Sequence, residues 1–404
     1  MQKKIVALAV AGLSTAAFAQ TNVTIYGVAD VSGQGTTMTG EKRPVAVGGQ
    51  GEGSTFNLQS NSSLIGFKGT EDLGNGLKAL FQVESNMNLT GGGSGVQVQT
   101  TNTSMGSLRD SYLGMNSKYG TLLGGYVSTP FRQALTSFDV MPGATGSGAI
   151  ENLVGEMRFG STGLAYDSAI RATAVAYAMP TLYGFDGTLA YTGSNNNGTN
   201  NQTGAGNCSN ADGTQVSVCT ATPQSAWGFN LGWTGYGVNI KGAFQQANYN
   251  MSGTTNQVNN LGDFTSYLVG AAYTGIPGLK ASVTYARNSL GTNGATPLTQ
   301  NGAGKISNNA AYAGVSYRMG NWEPAVSAAW QGDMDGSNLQ QMGARQWTGR
   351  VGYYLSKRTQ AYGIISNVNN SANQTYRPFL TGSNLQNTGG ANVFTYGMGL
   401  RTSF

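Results

Sequence analysis

The chain has 404 residues, of which 62 are glycine, two are cysteine and none is histidine; only 10% are charged and the formal net charge is +5. A soluble domain carries roughly 25% charged residues and about 7% glycine, so this is not the composition of an ordinary cytoplasmic protein. The missing histidine removes every His-dependent triad, general base and zinc site, no cluster of Lys and Arg marks a nucleic-acid surface, and no apolar run beyond the start of the chain is long enough for a membrane helix.

In chain order, Lys3 and Lys4, the apolar stretch Ile5 to Ala11 and the small-x-small pattern Ala17-Phe18-Ala19 predict a secretory signal over 1–19. The rest, 20–404, reads as one domain of strands. Period-two alternation dominates. Trp227, Phe229, Leu231 and Trp233 alternate with Gly228, Asn230 and Gly232, and Phe394, Tyr396, Met398 and Leu400 with Thr395, Gly397, Gly399 and Arg401. The pattern predicts strands near 23–32, 56–69, 77–88, 108–117, 121–127, 171–179, 185–193, 225–234, 236–250, 263–274, 279–289, 309–319, 322–333, 345–355, 359–369 and 393–404. Pro324 falls inside one of them and is expected at a bulge or near the strand's start.

Tight connections (Glu71 to Gly76, Lys118 to Gly120, Gly320-Asn321, Lys357-Arg358) alternate with long ones (33–55, 89–107, 128–170, 194–224, 370–392). That alternation, with one apolar and one polar face per strand, separates an outer-membrane barrel from a soluble sandwich. The expected fold is all-β: a 16-stranded antiparallel transmembrane β-barrel, with short periplasmic turns and long extracellular loops. Sixteen strands enclose a water-filled channel. Trp227, Trp233, Trp322, Trp330, Tyr353 and Phe404 suit interface girdles. Cys208 and Cys219, in a polar segment of an exported chain, are expected to close a disulfide loop, with two free thiols as the alternative.

Several segments carry a family likeness. VTIYGVAD (Val23 to Asp30), IGFKGTEDLGNGLKALFQVE (Ile65 to Glu84), RDSYLGMNSKYGTLLGG (Arg109 to Gly125) and the terminal Phe404 resemble the trimeric general porins of β-proteobacteria. The resemblance implies a homotrimer, passive diffusion of ions and small hydrophilic solutes, a third long loop folded into the lumen and Phe404 as an assembly signal. Two family arginines are replaced, one by Leu64 and one within Gly124-Gly125-Tyr126, which thins the basic half of the usual constriction.

Parity and family match together select the pore residues. Glu84 falls on the polar face of its strand, where the family has an acid. Arg109 and Arg171 stand at or beside the family's pore arginines. The loop at 128–170 is too long for a compact fold unless it has a job. It is also too apolar for disorder, with Phe131, Leu135, Phe138, Val140 and Met141. It is read as the inward loop, with Asp139 and Glu151 as acids opposite the arginines. Asp30, Gln82, Lys241, Lys280, Arg318 and Arg350 are further lumen-side candidates. No cofactor, metal site or catalytic set is expected, and lipopolysaccharide and outer-membrane lipid are the expected surroundings. A substrate-selective channel and a structural or adhesive barrel with a plugged lumen are the competing readings.

Overall fold

The computed structural model describes residues 22–42, 52–90, 105–141, 146–160, 165–193, 205–209, 215–220, 223–249, 261–292, 304–377 and 389–404; the secretory signal expected over 1–19 lies outside them. The wall strands are β1 (Asn22–Thr39), β2 (Gly53–Ser60 and Leu64–Gly74), β3 (Leu77–Met87), β4 (Met105–Leu108 and Ser111–Ser117), β5 (Gly120–Ser128), β6 (Arg171–Ala178), β7 (Phe185–Thr192) and β8 (Pro223–Gly235). They continue as β9 (Val238–Tyr249), β10 (Leu261–Tyr273), β11 (Leu279–Thr292), β12 (Lys305–Tyr317), β13 (Trp322–Gln331), β14 (Ala344–Tyr354), β15 (Thr359–Asn370) and β16 (Asn392–Ser403). The sheet has eighteen hydrogen-bonded segments. Two strands are interrupted: β2 pairs with β1 on both sides of residues 61–63, and β4 pairs with β3 on both sides of Arg109 and Asp110. The wall is therefore a closed antiparallel barrel of sixteen strands.

The tight turns have a local cause. Asn75 and Gly76 take φ of 53° and 78°, and Tyr236 and Gly237 take 52° and 76°. Two successive positive φ values make the turn whose twist matches an antiparallel hairpin. Pro324 is the third residue of β13, near its start, and the register with β14 runs through it without a shift.

Alternate residues point in and out. Along β14, Ala344, Gln346, Thr348 and Arg350 are buried, while Arg345, Trp347 and Val351 are exposed. The exposed face carries two aromatic girdles. Trp347 and Phe394 lie together at the long-loop end (6.4 Å between rings), and Trp322 and Tyr353 at the tight-turn end (4.8 Å). Trp322 and Trp330 mark the two ends of β13. At about 3.3 Å per residue and a tilt near 40° they stand about 20 Å apart in height, the scale of a bilayer core.

The connection between β5 and β6 folds into the barrel. It contains helix α1 (Pro130–Ser137), two short helical turns (Gly146–Gly148 and Ile150–Asn152) and a small hairpin of Glu156–Arg158 and Ala165–Asp167. Thr129 begins α1: its hydroxyl accepts from Arg132 N, and Pro130 supplies a first-turn residue with no N–H to satisfy. Phe131, Leu135, Phe138, Ile150, Leu153 and Val154 are fully buried, packed on inward Ala243, Ala272, Ala286, Ala310, Ala325 and Ala344 of the wall. Met157, Phe159 and Tyr166 form a second apolar cluster with Phe264, Leu290, Ile306 and Met342. Cys208 and Cys219 sit on the two strands of a separate hairpin, Ala205–Ser209 with Gln215–Thr220, opposite Val216 and Gly206 respectively.

The ring closes where β1 meets β16, with register from Val28–Ser403 to Thr39–Asn392. Gly27 and Phe404 exchange both backbone hydrogen bonds at 3.1 Å. A Cβ on Gly27 would stand 2.4 Å from the Phe404 ring and 2.7 Å from the Leu64 carbonyl. Gly27→Val should therefore push Phe404 off the seam and destabilise the barrel by about 1–3 kcal/mol, read as a lower denaturant midpoint and a smaller fraction of heat-shifted band in unboiled gels.

Candidate functional site: a charged constriction in the lumen

The interruption of β4 is where the site begins. Residues 109 and 110 leave the strand ladder, and their side chains reach opposite neighbours. Arg109 N is bound to the Glu84 carbonyl at 2.9 Å. Its guanidinium approaches the Glu84 carboxylate at 3.4 Å and donates to Asn86 at 3.0 Å. Glu84 also accepts from the Tyr26 hydroxyl at 2.8 Å. Asp110 takes the N–H and hydroxyl of Ser128, at 2.7 and 2.9 Å, and the Arg171 guanidinium at 3.1 Å. It thus ties β4 to the end of β5 and the start of β6.

The loop brings the third pair. Arg132, on α1, contacts Glu151 at 2.7 Å and 3.2 Å through two guanidinium nitrogens. Arg109, Arg132 and Arg171 are close enough to act on one another electrostatically. The site is therefore three arginines interleaved with three carboxylates. Beside it, a cavity of about 510 Å³ separates the polar face of α1 (Gln133, Thr136, Ser137) from Gln82, Asp110 and Tyr112 on the wall. Gln82 donates to the Asp110 carbonyl and accepts from the Tyr112 hydroxyl.

The structure brings Glu84, Arg109, Arg171 and Glu151 into this cluster, Glu151 as the partner of Arg132. Asp139 is placed elsewhere. It is half-buried, its carboxylate accepts from Met141 N (2.8 Å) and Ile150 N (3.2 Å), and its carbonyl accepts from Lys280 Nζ at 2.6 Å. The expected opposition of Asp139 to Arg109 and Arg171 is corrected to an anchoring position, because desolvated carboxylates are held by loop N–H groups. Lys280 is thereby a second anchor. Lys241 pairs with Asp186 at 2.6 Å. Arg318 is near the tight turns, stacked on Tyr354 at 3.9 Å. Asp30 and Arg350 belong to one buried wall network: Asp30 holds Arg401 (3.0 Å) and the Tyr362 hydroxyl (2.7 Å), and Arg350 bonds Gln360 at 2.5 Å and covers the Tyr362 ring.

Sequence reasoning missed Asp110 and did not give Arg132 a role in the site. Asp110 has a signal in hindsight: it is adjacent to Arg109 and precedes Ser111, so one of the two had to leave the strand alternation. Arg132 lies three positions after Thr129, where a helix start would aim its side chain along the first turn.

With this geometry in view, the known relatives can be weighed. The sequence profile of the Gram-negative porin family matches residues 6–373. The chain belongs to this family. Among curated porins, the major outer membrane protein P.IB of Neisseria gonorrhoeae is 31% identical over 202 residues, 50% of this chain and 51% of the relative. The chain thus matches about half the length of such relatives. Among solved structures, the anion-selective porin from Comamonas acidovorans superposes with a TM-score of 0.68 at 20% identity, covering 95% of this chain and all of that one. The trimer form of OmpT from Vibrio cholerae gives 0.59 at 13%, covering 95% and 99%. The porin barrel stands in the outer membrane of a Gram-negative cell.

Burial sets the titration of the loop acids. It pushes the Asp139 carboxyl up to about 6 and the Asp167 carboxyl up to about 7, the latter helped by Glu156, its register partner across the small hairpin. Both lie above the ordinary 3.8, so the folded loop prefers them protonated. Loop stability is then full below about pH 4 and falls as the pH climbs towards about 6 for Asp139 and about 7 for Asp167. Open-channel current noise should rise several-fold from pH 4 to pH 7.5, and Asp167→Asn should remove most of that rise.

Proposed function

We propose that the chain is a general diffusion porin: a water-filled channel that passes ions and small hydrophilic solutes down their gradients. The observation that carries the reading is the placement of the charge cluster. It lines a passage between α1 and the β3–β6 wall, on the side of the barrel opposite the apolar seat of the loop. Charges beside a narrow path with low-dielectric walls act strongly on whatever passes. Balanced acid–base pairing favours weak ion selectivity, whereas the Comamonas relative is named anion-selective.

Planar-bilayer recording tests this. The protein should give large ohmic steps with a small zero-current potential under a KCl gradient. Arg132→Ala leaves Glu151 without its partner and should move the potential towards cation preference; Asp110→Asn should move it towards anions. No conductance from folded, inserted protein would sink the reading in favour of a plugged structural barrel.

We further propose a homotrimer. The support is family membership and an exposed apolar face on β1 and β2, with Ile25, Phe56 and Leu58 at least 60% exposed. An unboiled gel of gently extracted protein should show a band near three times the mass of the boiled one, and alkylation with and without reductant of the same sample reads whether Cys208 and Cys219 are joined. A monomer-sized unboiled band would rule the trimer out.

A further inference from the structure

The cavity between α1 and the wall has an apolar side, and ion passage alone makes no use of it. Two inward glycines cut the recess: Gly125 is opposite Tyr112, and Gly114 is opposite Leu123, across the β4–β5 ladder. A Cβ on Gly114 would stand 2.5 Å from Leu123 and 3.2 Å from Leu80, and one on Gly125 would stand 2.9 Å from Tyr112 Cβ. Leu123 can therefore lean over Gly114, and no β5 side chain covers the Tyr112 ring at that level. Val127, the next inward position after Gly125, continues the apolar side; it is buried against Ala176 and Ala190, with Tyr112 and Leu123 packed on the same cluster. Across the cavity stands the polar face of α1, with Thr136 and Ser137.

The polar side presents chiefly acceptors. The Tyr112 hydroxyl donates to Gln82 Oε1 at 3.2 Å, that of Thr136 to the Arg132 carbonyl at 2.9 Å, and that of Ser137 to the Ala134 carbonyl at 2.7 Å. A hydroxyl has one proton and two lone pairs, so each of the three turns lone pairs to the cavity. Gln82 and Gln133 each place one amide N–H on a carbonyl, of Asp110 and of Ser128. Charge at the rim is already matched: Asp110 holds the Arg171 guanidinium at 3.1 Å and both donors of Ser128. A charged solute would find a counter-ion only by breaking a pair already made, which leaves the displaced partner uncompensated. The solute that fits is therefore uncharged and carries O–H donors. Leu123 and Val127 offer a hydroxyl nothing to bond, so the side towards them must be apolar and flat: an aromatic ring before a sugar.

We propose that this recess is a binding subsite for small uncharged phenols, one aromatic ring bearing one or two hydroxyls. The inference deepens the diffusion-channel reading and rests on it for the solute's way in. The ring lies against Leu123 and Val127 beside the Tyr112 ring, and its hydroxyls donate to Thr136 and Ser137 on α1. Flux of such a solute saturates, because the subsite stands in its path, whereas flux of solutes that do not bind stays proportional to their gradient.

The test uses the full-length protein in detergent and the same preparation in planar bilayers, at pH 7 (about neutral for a phenol, whose hydroxyl titrates near 10). Resorcinol, benzoate, benzylammonium and glucose are added in turn. Saturation-transfer NMR reads binding, and the bilayer reads interruption of the ion current. Resorcinol should bind and block with a half-effect at about 1 mM, about tenfold below the other three. Thr136→Val/Ser137→Ala removes both acceptors at nearly constant volume, and Val127→Thr puts a hydroxyl into the apolar side; each should weaken resorcinol about fivefold, in protein whose unboiled gel band shows it folded. Equal resorcinol binding by wild type and both variants would overturn the proposal. Benzoate or benzylammonium binding as tightly as resorcinol would overturn the assignment to uncharged solutes, and glucose doing so would overturn the aromatic one. A silent channel with variant-sensitive resorcinol binding would sink the porin reading and still support this site.

Discussion

Hydrocarbon offers no partner to a peptide N–H or carbonyl, so a sheet that enters it must return to its own first strand. The exchange of hydrogen bonds between Gly27 and Phe404 is where this chain meets that demand. Closure has a second consequence. A ring of sixteen strands encloses more space than inward side chains can fill, so the barrel leaves a volume that something else must shape. Here the connection after β5 does it, by carrying its own apolar core inside. The wall under that core is alanine at position after position, because α1 and the turns after it can approach the strands only where the side chains are short.

Polar anchors then fix the orientation that the apolar contact leaves free. Asn230 donates to the Pro130 carbonyl at 2.8 Å, Ser282 to the Phe138 carbonyl at 2.5 Å, and Gln346 and Ser366 both to the Ser147 carbonyl at 2.8 Å. Each satisfies a loop carbonyl that the lumen would otherwise leave without a fixed partner. The wall and the last long connection add to the hold: Gln331, at the end of β13, and the Tyr376 hydroxyl both donate to the Glu156 carbonyl. Loop and wall are thus one packed body, and the arginine–carboxylate cluster inherits the rigidity of the strands that carry Glu84 and Arg171 and flank Arg109.

Much of this was written in the sequence, and the reasons differ by element. The sixteen strands were legible because each must show lipid one face and water the other, so period two is obligatory. Glu84 was legible by parity, and Arg109 by its place in the RDSYLG segment. The interruption at 61–63 was not, since a local departure from the ladder leaves no trace in the alternation around it, and the one at 109–110 showed only as two adjacent charged residues. Asp139 was assigned by its charge, its place in the long loop and the family resemblance. Its actual place depends on where loop N–H groups converge, a property of the folded loop and not of the residue's type. The inward alanines could have warned that the lumen has a dry side, for they are apolar residues on a face otherwise occupied by Asn, Gln, Ser and Thr.

That dry side changes what the strand number means. The circumference of the ring is set by sixteen strands, but the inner surface of β9 to β15 is taken up by the buried loop. The cavity beside the polar face of α1 lies against β3, β4 and β5. For the proposed channel, the electrical resistance would be that of an off-centre duct, governed by the gap between α1 and the wall, and a barrel of the same girth without the alanine-lined seat would be a much better conductor.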